Sequence, residues 1–290
     1  MTIKQLELQA NEIREDIIKM LTTAGSGHSA GPLGMADVFT ALYFDIMNHR
    51  PKQTDWAERD RLFLSNGHIV PVRYATMARA GYFPVSELAT LRKFGSRLQG
   101  HPERLRLPGL ETTSGPLGSG LSEAAGHAYA LRMDASKSHV YCITGDGELD
   151  EGNIWEGLMF ASKYRLGNLT VIVDRNDIQL DGPTETVMPL GDLAAKWTAF
   201  GWYVIEIDGN NMQEIIDACG LAKAIVEKPC VIIAHTIPGK GVNYMEYNYL
   251  WHGNPPGLVD TPGAPPKAQQ AKVALHELRT LGGRIRSEHQ

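Results

Sequence analysis

From residue 139 onward, short apolar runs alternate with helical segments, and no other feature of the sequence constrains the fold so tightly. Strands are expected at residues 139–144, 169–174, 202–207 and 230–235, separated by helices at about 150–166, 192–200 and 212–226. Strands joined through helices are connected right-handedly and lie parallel, because a parallel neighbour cannot be reached by a tight hairpin. The fold class that follows is α/β, with a parallel sheet flanked by helices on both faces. Upstream, Ile13, Ile17, Ile18 and Leu21 recur at helical spacing and stop at Gly25-Ser26-Gly27. A second helix is expected at about 35–47, and a short strand at 61–65 ends in the polar turn Asn66-Gly67-His68. After Trp251 the chain is Pro/Gly-rich to residue 266, and a basic helix is expected at about 267–286. No internal repeat breaks the 290 residues, so a single domain is expected over residues 1–290.

Composition excludes several classes of function. The formal charge is −5 and no basic patch stands out, which argues against a nucleic-acid partner. The longest apolar runs are too short to span a bilayer, and the first twenty residues read as a charged amphipathic helix without a secretory signal. A soluble cytoplasmic protein is the expectation. Three scattered cysteines, Cys142, Cys219 and Cys230, suit buried thiols in a reducing compartment.

The chemistry concentrates where strands end. Gly145-Asp146-Gly147 closes one strand and Asn176 follows the next. Parallel sheets bind ligands outside the carboxyl ends of their strands, and neighbouring strands lie about 4.8 Å apart. A strand–helix–strand unit therefore returns Asn176 to the edge that holds Asp146. A carboxylate, an amide oxygen and the backbone carbonyl of Ile178 supply three hard oxygen ligands on one side of a cation. Diphosphate oxygens and water would fill the other positions, which suits Mg²⁺, with Ca²⁺ or Mn²⁺ as substitutes. Gly145 and Gly147 allow the backbone to approach a phosphate, and a following helix would direct its N-terminus at it. Taken singly, Gly-Asp-Gly is more often a tight turn and an asparagine more often a loop residue. Their spacing across one strand–helix–strand unit favours the functional reading. The segment 95–120, rich in Gly, Pro, Ser and Thr, lacks periodicity and reads as an ordered active-site loop. His28, His68 and His101 lie in Gly/Pro-rich turns, whereas His49, His127, His139 and His289 have no motif around them and read as surface or packing residues.

The run from Gly145 to Gly152, continued by Asp174-Arg175-Asn176-Asp177-Ile178, resembles the thiamine-diphosphate motif. Ser26-Gly27-His28-Ser29-Ala30-Gly31-Pro32-Leu33-Gly34, Asp60-Arg61-Leu62-Phe63-Leu64-Ser65-Asn66-Gly67-His68 and His101-Pro102-Glu103 with Thr113-Ser114-Gly115-Pro116-Leu117-Gly118 are similar to signatures of the transketolase family. The resemblance covers roughly residues 10–255. It implies that Asp146, Asn176 and the Ile178 carbonyl hold the metal, and that His68 and Gly147 contact the diphosphate. It further implies that Gly115 and Leu117 touch the aminopyrimidine, Leu180 packs beside the thiazolium, and Glu151 stands at a subunit interface near the pyrimidine. His28 and His101 would be the catalytic histidines lining the substrate channel. The family carries a histidine a few residues before His252; His252 either takes that role against the cofactor or is a loop histidine beside a packed Trp251.

Full transketolases are more than twice as long and add a pyrimidine-binding and a C-terminal domain. The resemblance therefore implies a split enzyme, with this chain paired to a separate subunit carrying the pyrimidine-binding domain in an α2β2 assembly. The reaction implied is transfer of a two-carbon ketol unit between sugar phosphates, the cofactor carrying the carbanion chemistry. Alternatives are another thiamine-diphosphate enzyme subunit, of deoxyxylulose-phosphate synthase or 2-oxo acid dehydrogenase α type, or a non-catalytic cofactor-binding paralogue. A dinucleotide-binding fold is disfavoured, because no Gly-x-Gly-x-x-Gly follows the first strand.

Overall fold

The computed structural model describes residues 1–288, with side chains to residue 280; His289 and the basic side chains expected beyond 280 lie outside the described residues. In chain order the helices are α1 (Ile3–Ala24), α2 (Ala30–Gly34), α3 (Ala36–Ala41), α4 (Val70–Arg79), α5 (Ser119–Met133), α6 (Gly152–Lys163), α7 (Thr184–Val187), α8 (Leu193–Ala199), α9 (Met212–Ala224) and α10 (Lys267–Glu288). The strands are β1 (Arg61–Leu64), β2 (Val140–Gly145), β3 (Leu169–Arg175), β4 (Ile178–Gln179), β5 (Gly182–Pro183), β6 (Tyr203–Asp208) and β7 (Cys230–His235). β1, β2, β3, β7 and β6 form one parallel sheet in that order, while β4 and β5 form a small antiparallel hairpin. The α/β fold with helices on both faces of a parallel sheet is thus as the alternation predicts.

The strands read as continuous apolar runs because each is covered twice. β2 is buried along its whole length, and β3 and β7 are buried save for their last residues. Successive side chains then serve opposite cores. Tyr141, Ile143, Ile172 and Ile232 join Ile13, Ile17, Phe39, Tyr74 and Cys219 on one face. Val140, Cys142, Val171, Val173 and Ile233 join Leu121, Ile154, Leu158, Trp197 and Trp202 on the other. All three thiols are free and buried.

α1 begins in a capping box, in which the Thr2 hydroxyl accepts from the Gln5 amide and the Gln5 side chain answers the Thr2 amide. Arg14, a charged interruption of this helix in the sequence, is buried. It donates to Asp37 through two nitrogens and to the Leu33 carbonyl, tying α1 to α2 and α3. Asn210 donates to the same carboxylate, so the buried charge is fully satisfied.

Three expectations need correction. The helix expected at 35–47 is α3 followed by a π-helical turn over Leu42–Ile46. α4 has no counterpart among the expected elements: Val70-Pro71-Val72 reads as a poor helix former, yet a proline in the first turn removes only an amide that has no partner there. The helix expected from 150 begins at Gly152, after a 3₁₀ turn over Gly147–Asp150, so the 3₁₀ turn and not an α-helix N-terminus adjoins Gly147. Among the described residues, no helix is long and apolar enough to cross a membrane.

Candidate active site

The register of the sheet brings the sequence-predicted residues together. Gly145 pairs with Asp174, and the Asp146 amide donates to the Asp174 carbonyl at 3.1 Å, so the ends of β2 and β3 are level. A cavity of about 300 Å³ opens there. Its floor is Gly145, Asp146, Gly147 and Glu148 from the end of β2, with Asp174 and Asn176 from β3. The β4–β5 hairpin contributes Ile178, Gln179 and Leu180, and the segment before α5 contributes His101, Gly115 and Leu117. Asn66 and His68 enter from the turn after β1, His28 from the turn after α1, and His252 from the loop after β7. Of the residues singled out from the sequence, Glu151 alone does not line it; it is exposed, and its side chain packs where a Cβ on Gly118 would stand.

Asp146 is buried and its two oxygens are used unequally. Oδ2 accepts from the Asp177 amide at 2.8 Å, from Arg175 Nη1 at 3.2 Å and from Thr184 Oγ1 at 3.2 Å. Oδ1 accepts only the Gly147 amide, at 2.7 Å, and keeps a lone pair for another partner. Burial raises its pKa to about 6 against the pull of Arg175 and the two amides. Asn176 is held from both ends. Its Nδ2 donates to Asp174 Oδ2 at 2.8 Å, and its Oδ1 accepts from the Ile178 amide at 3.1 Å. The first bond fixes which amide atom is the acceptor on the far side. Asp174 itself is pinned by Thr236 Oγ1 at 2.5 Å, and burial pushes its pKa to about 7.

The histidines form a group. Ring centroids of His28 and His68 lie 4.9 Å apart, those of His68 and His252 5.1 Å, and those of His28 and His252 5.7 Å. Burial lowers the pKa of His28 to about 3, with His252, Arg92 and His101 adding to the effect, and lowers that of His252 to about 4. His68 is depressed well below the usual histidine range, again mainly by burial, and the exposed His101 less so. The imidazoles are therefore neutral at pH 7. Each has one N–H to donate and one nitrogen to accept.

Two residues of the cavity lie within the motif runs, yet sequence reasoning gives them no role of their own. Glu148 is buried, and it joins three chain segments by accepting from Ser65 Oγ at 2.5 Å, the Gly118 amide at 2.7 Å and the Gly145 amide at 3.1 Å. Asn66 is buried with neither its amide nitrogen nor its oxygen bonded to protein. Its place after a strand, in Asn66-Gly67-His68, is the available signal.

These features fit a metal-held diphosphate. Asn66 Nδ2 and Oδ1, His28 Nδ1 and His252 Nδ1 are buried polar atoms without protein partners around one cavity, a costly state unless a ligand completes them. A Cβ on Gly147 would stand 2.8 Å from Gln179 Cγ, so a side chain there would have to displace the Gln179 side chain at the cavity. The oxygens on offer are hard ones, of the kind that suit a hard divalent cation; among the described residues no group of three or more His, Cys, Asp or Glu side chains is placed to hold a metal ion.

Comparison with known proteins identifies the family. A family model described as "Transketolase, thiamine diphosphate binding domain" matches residues 6–263. The chain is 44% identical over 254 residues to the 6-deoxy-6-sulfo-D-fructose transketolase subunit SqwG of Clostridium sp. (strain MSTE9), covering 87% of this chain and 92% of that one. It is 41% identical over 256 residues to an apulose-4-phosphate transketolase subunit of Phocaeicola vulgatus, covering 88% and 91%. The solved transketolase from Leishmania mexicana superposes with a TM-score of 0.84 at 30% identity, over 99% of this chain but 45% of that longer one. The chain belongs to the transketolase family and carries that family's thiamine diphosphate-binding domain.

Proposed function

We propose that this chain is the diphosphate-holding subunit of a split transketolase, which moves a two-carbon ketol unit from a ketose to an aldose. Residues 1–290 make up one diphosphate-binding unit in this reading. The observation that carries it is the cavity at the level ends of β2 and β3, where Asp146, Asn176 and the histidines meet. Asp146 Oδ1, Asn176 Oδ1 and the Ile178 carbonyl would hold Mg²⁺, or Ca²⁺ or Mn²⁺ in its place. His68 and the Gly147 backbone would donate to the diphosphate. Gly115 and Leu117 would flank the aminopyrimidine, with Leu180 and His252 against the rest of the cofactor. Bound thiamine diphosphate supplies the carbanion chemistry.

The protein's own residues position, hold and exclude. Glu148 fixes the ends of β1 and β2 and the start of α5 around one carboxylate, so the cavity floor is rigid before a ligand arrives. The half-buried His28 and the exposed His101 stand at the cavity, where they would hold the hydroxyls of a ketose and move protons at those oxygens. As neutral imidazoles they are able both to accept and to donate.

Substrates bearing a phosphate or sulfonate group are favoured by the likeness to the sulfofructose and apulose-phosphate enzymes. Those relatives, covered to 92% and 91% of their length, are named as subunits, which supports a separate partner with the pyrimidine-binding domain, assembled as α2β2 with Glu151 at the contact. The test is to purify this chain with and without its partner and assay ketol transfer. Activity is expected only from the pair. Full activity of the isolated chain would refute the split, and release of CO₂ from pyruvate would move the assignment to a 2-oxo acid enzyme.

A further inference from the structure

Two guanidinium groups stand close to the cavity, and their charges are met differently. Arg175 is ringed by carboxylates, 3.2 Å from Asp146, 3.1 Å from Asp177 and 2.6 Å from Glu185. Arg92 has no carboxylate partner among the described residues. Its one side-chain hydrogen bond is a long one, 3.5 Å from Nη2 to the Gly100 carbonyl. It is exposed, so an incoming group can reach it. The Arg92 backbone is held in the left-handed region at φ 59°, a conformation that non-glycine residues adopt at a cost and that recurs at functional positions.

The location of this free charge is specific. A Cβ built on Gly100 would lie 2.9 Å from Arg92 Nε, and one on Gly27 3.7 Å from the same atom. Gly27 and Gly100 immediately precede His28 and His101, so the guanidinium sits between the backbones that carry both histidines. The two imidazoles register it, since Arg92 lowers the proton affinity of each after burial has done so. An unpaired fork of N–H donors beside neutral imidazoles is complementary to a tetrahedral oxyanion, which a guanidinium grips through two oxygens at once.

We propose that Arg92 determines specificity by pairing with the phosphate or sulfonate tail of an anionic sugar that enters past His28 and His101. The proposal rests on the transketolase reading of the same site. Its test uses the enzyme assembled with its partner, with Arg92→Gln and Arg92→Lys variants and three donors: a ketose phosphate, a ketose sulfonate and uncharged erythrulose. For Arg92→Gln, KM for the anionic donors rises about tenfold, the size of one partly exposed ion pair, while kcat changes less than KM. The ratio of kcat/KM for anionic over uncharged donor falls by a similar factor, and Arg92→Lys recovers part of it. A fall confined to one anion supports the proposal and identifies the tail as phosphate or sulfonate. Equal losses on all three donors, or failure of both variants to assemble, would overturn it, because Arg92 would then serve the fold or a carboxylate of the partner. Absence of ketol transfer from every donor in the unsubstituted enzyme would defeat the underlying reading as well.

Discussion

The Asp146 carboxylate shows how one side chain is divided between structure and ligand. Its Oδ2 is committed to three donors and its Oδ1 to one, so an alanine removes the open oxygen and orphans the Thr184 hydroxyl and the Asp177 amide together. Asp146→Ala is expected to abolish metal-dependent binding of thiamine diphosphate to the assembled enzyme, read by calorimetry; unchanged affinity would defeat the metal assignment. His139 offers a different measurement. It is a packing residue, buried beneath the sheet's other end, with Nε2 2.8 Å from Thr170 Oγ1 and its amide on Asp60. Burial, aided by Lys223, lowers its pKa to about 3. The unfolded chain therefore takes up a proton near pH 6.5 that the folded chain refuses. The stability this contributes is present above pH 6.5 and is lost as pH falls toward 3. In His139→Gln, the drop in stability between pH 7 and pH 5 should be smaller by about 2 kcal/mol, measured by urea unfolding. Asp146 and Asn176 are legible in the sequence because spacing along one βαβ unit fixes where both must lie. The roles of Glu148 and Asn66 are not, since Glu148 takes donors from the ends of β1 and β2 and the start of α5, Asn66 has no protein partner, and nothing local shows that these segments meet.

At the level of elements, the parallel strands are plain in the sequence because burial on both faces leaves them uninterrupted apolar runs. Most of what separates expectation from structure lies between the end of α1 and the end of α4. Gly34, the last residue of α2, packs against the Ile237 carbonyl so closely that a Cβ would stand 2.9 Å from it, and the helix expected from Met35 follows as α3 and a π-helical turn. Such a contact spans two hundred residues and leaves no periodicity to read. The start of α5 is set in the same way. Gly120 faces the end of β1, where a Cβ would meet Ser65 Cα at 2.6 Å, and its amide donates to Ser65 Oγ. Gly120→Ala must push α5 from the strand that leads into Asn66 and His68. A loss of roughly 1–3 kcal/mol is expected from this overpacking, visible as a lowered denaturant midpoint. Weakened cofactor binding should accompany it, although residue 120 lies outside the cavity.

Across the whole molecule, the cavity lies at the carboxyl ends of the parallel strands, and part of its lining is exposed. Leu117 and Leu180 line it, yet they are 38% and 63% exposed, a state that suits residues covered by another chain. The α10 helix works on the opposite task, closing the face behind α1, where Ala274 and Leu278 are fully buried and Asn11 donates to the Leu278 carbonyl. The chain thus covers its core behind α1, while the proposed partner would cover the two leucines at the cavity. Arg175 adds a last consequence. Because its guanidinium already lies against Asp146 and reaches Glu185 beyond the hairpin, the acidic rim has a resident counter-ion that no chelator can extract. Dialysis against EDTA should silence the assembled enzyme while leaving its chains folded, seen as a retained cooperative melting transition, and restoring Mg²⁺ should revive it without any refolding step.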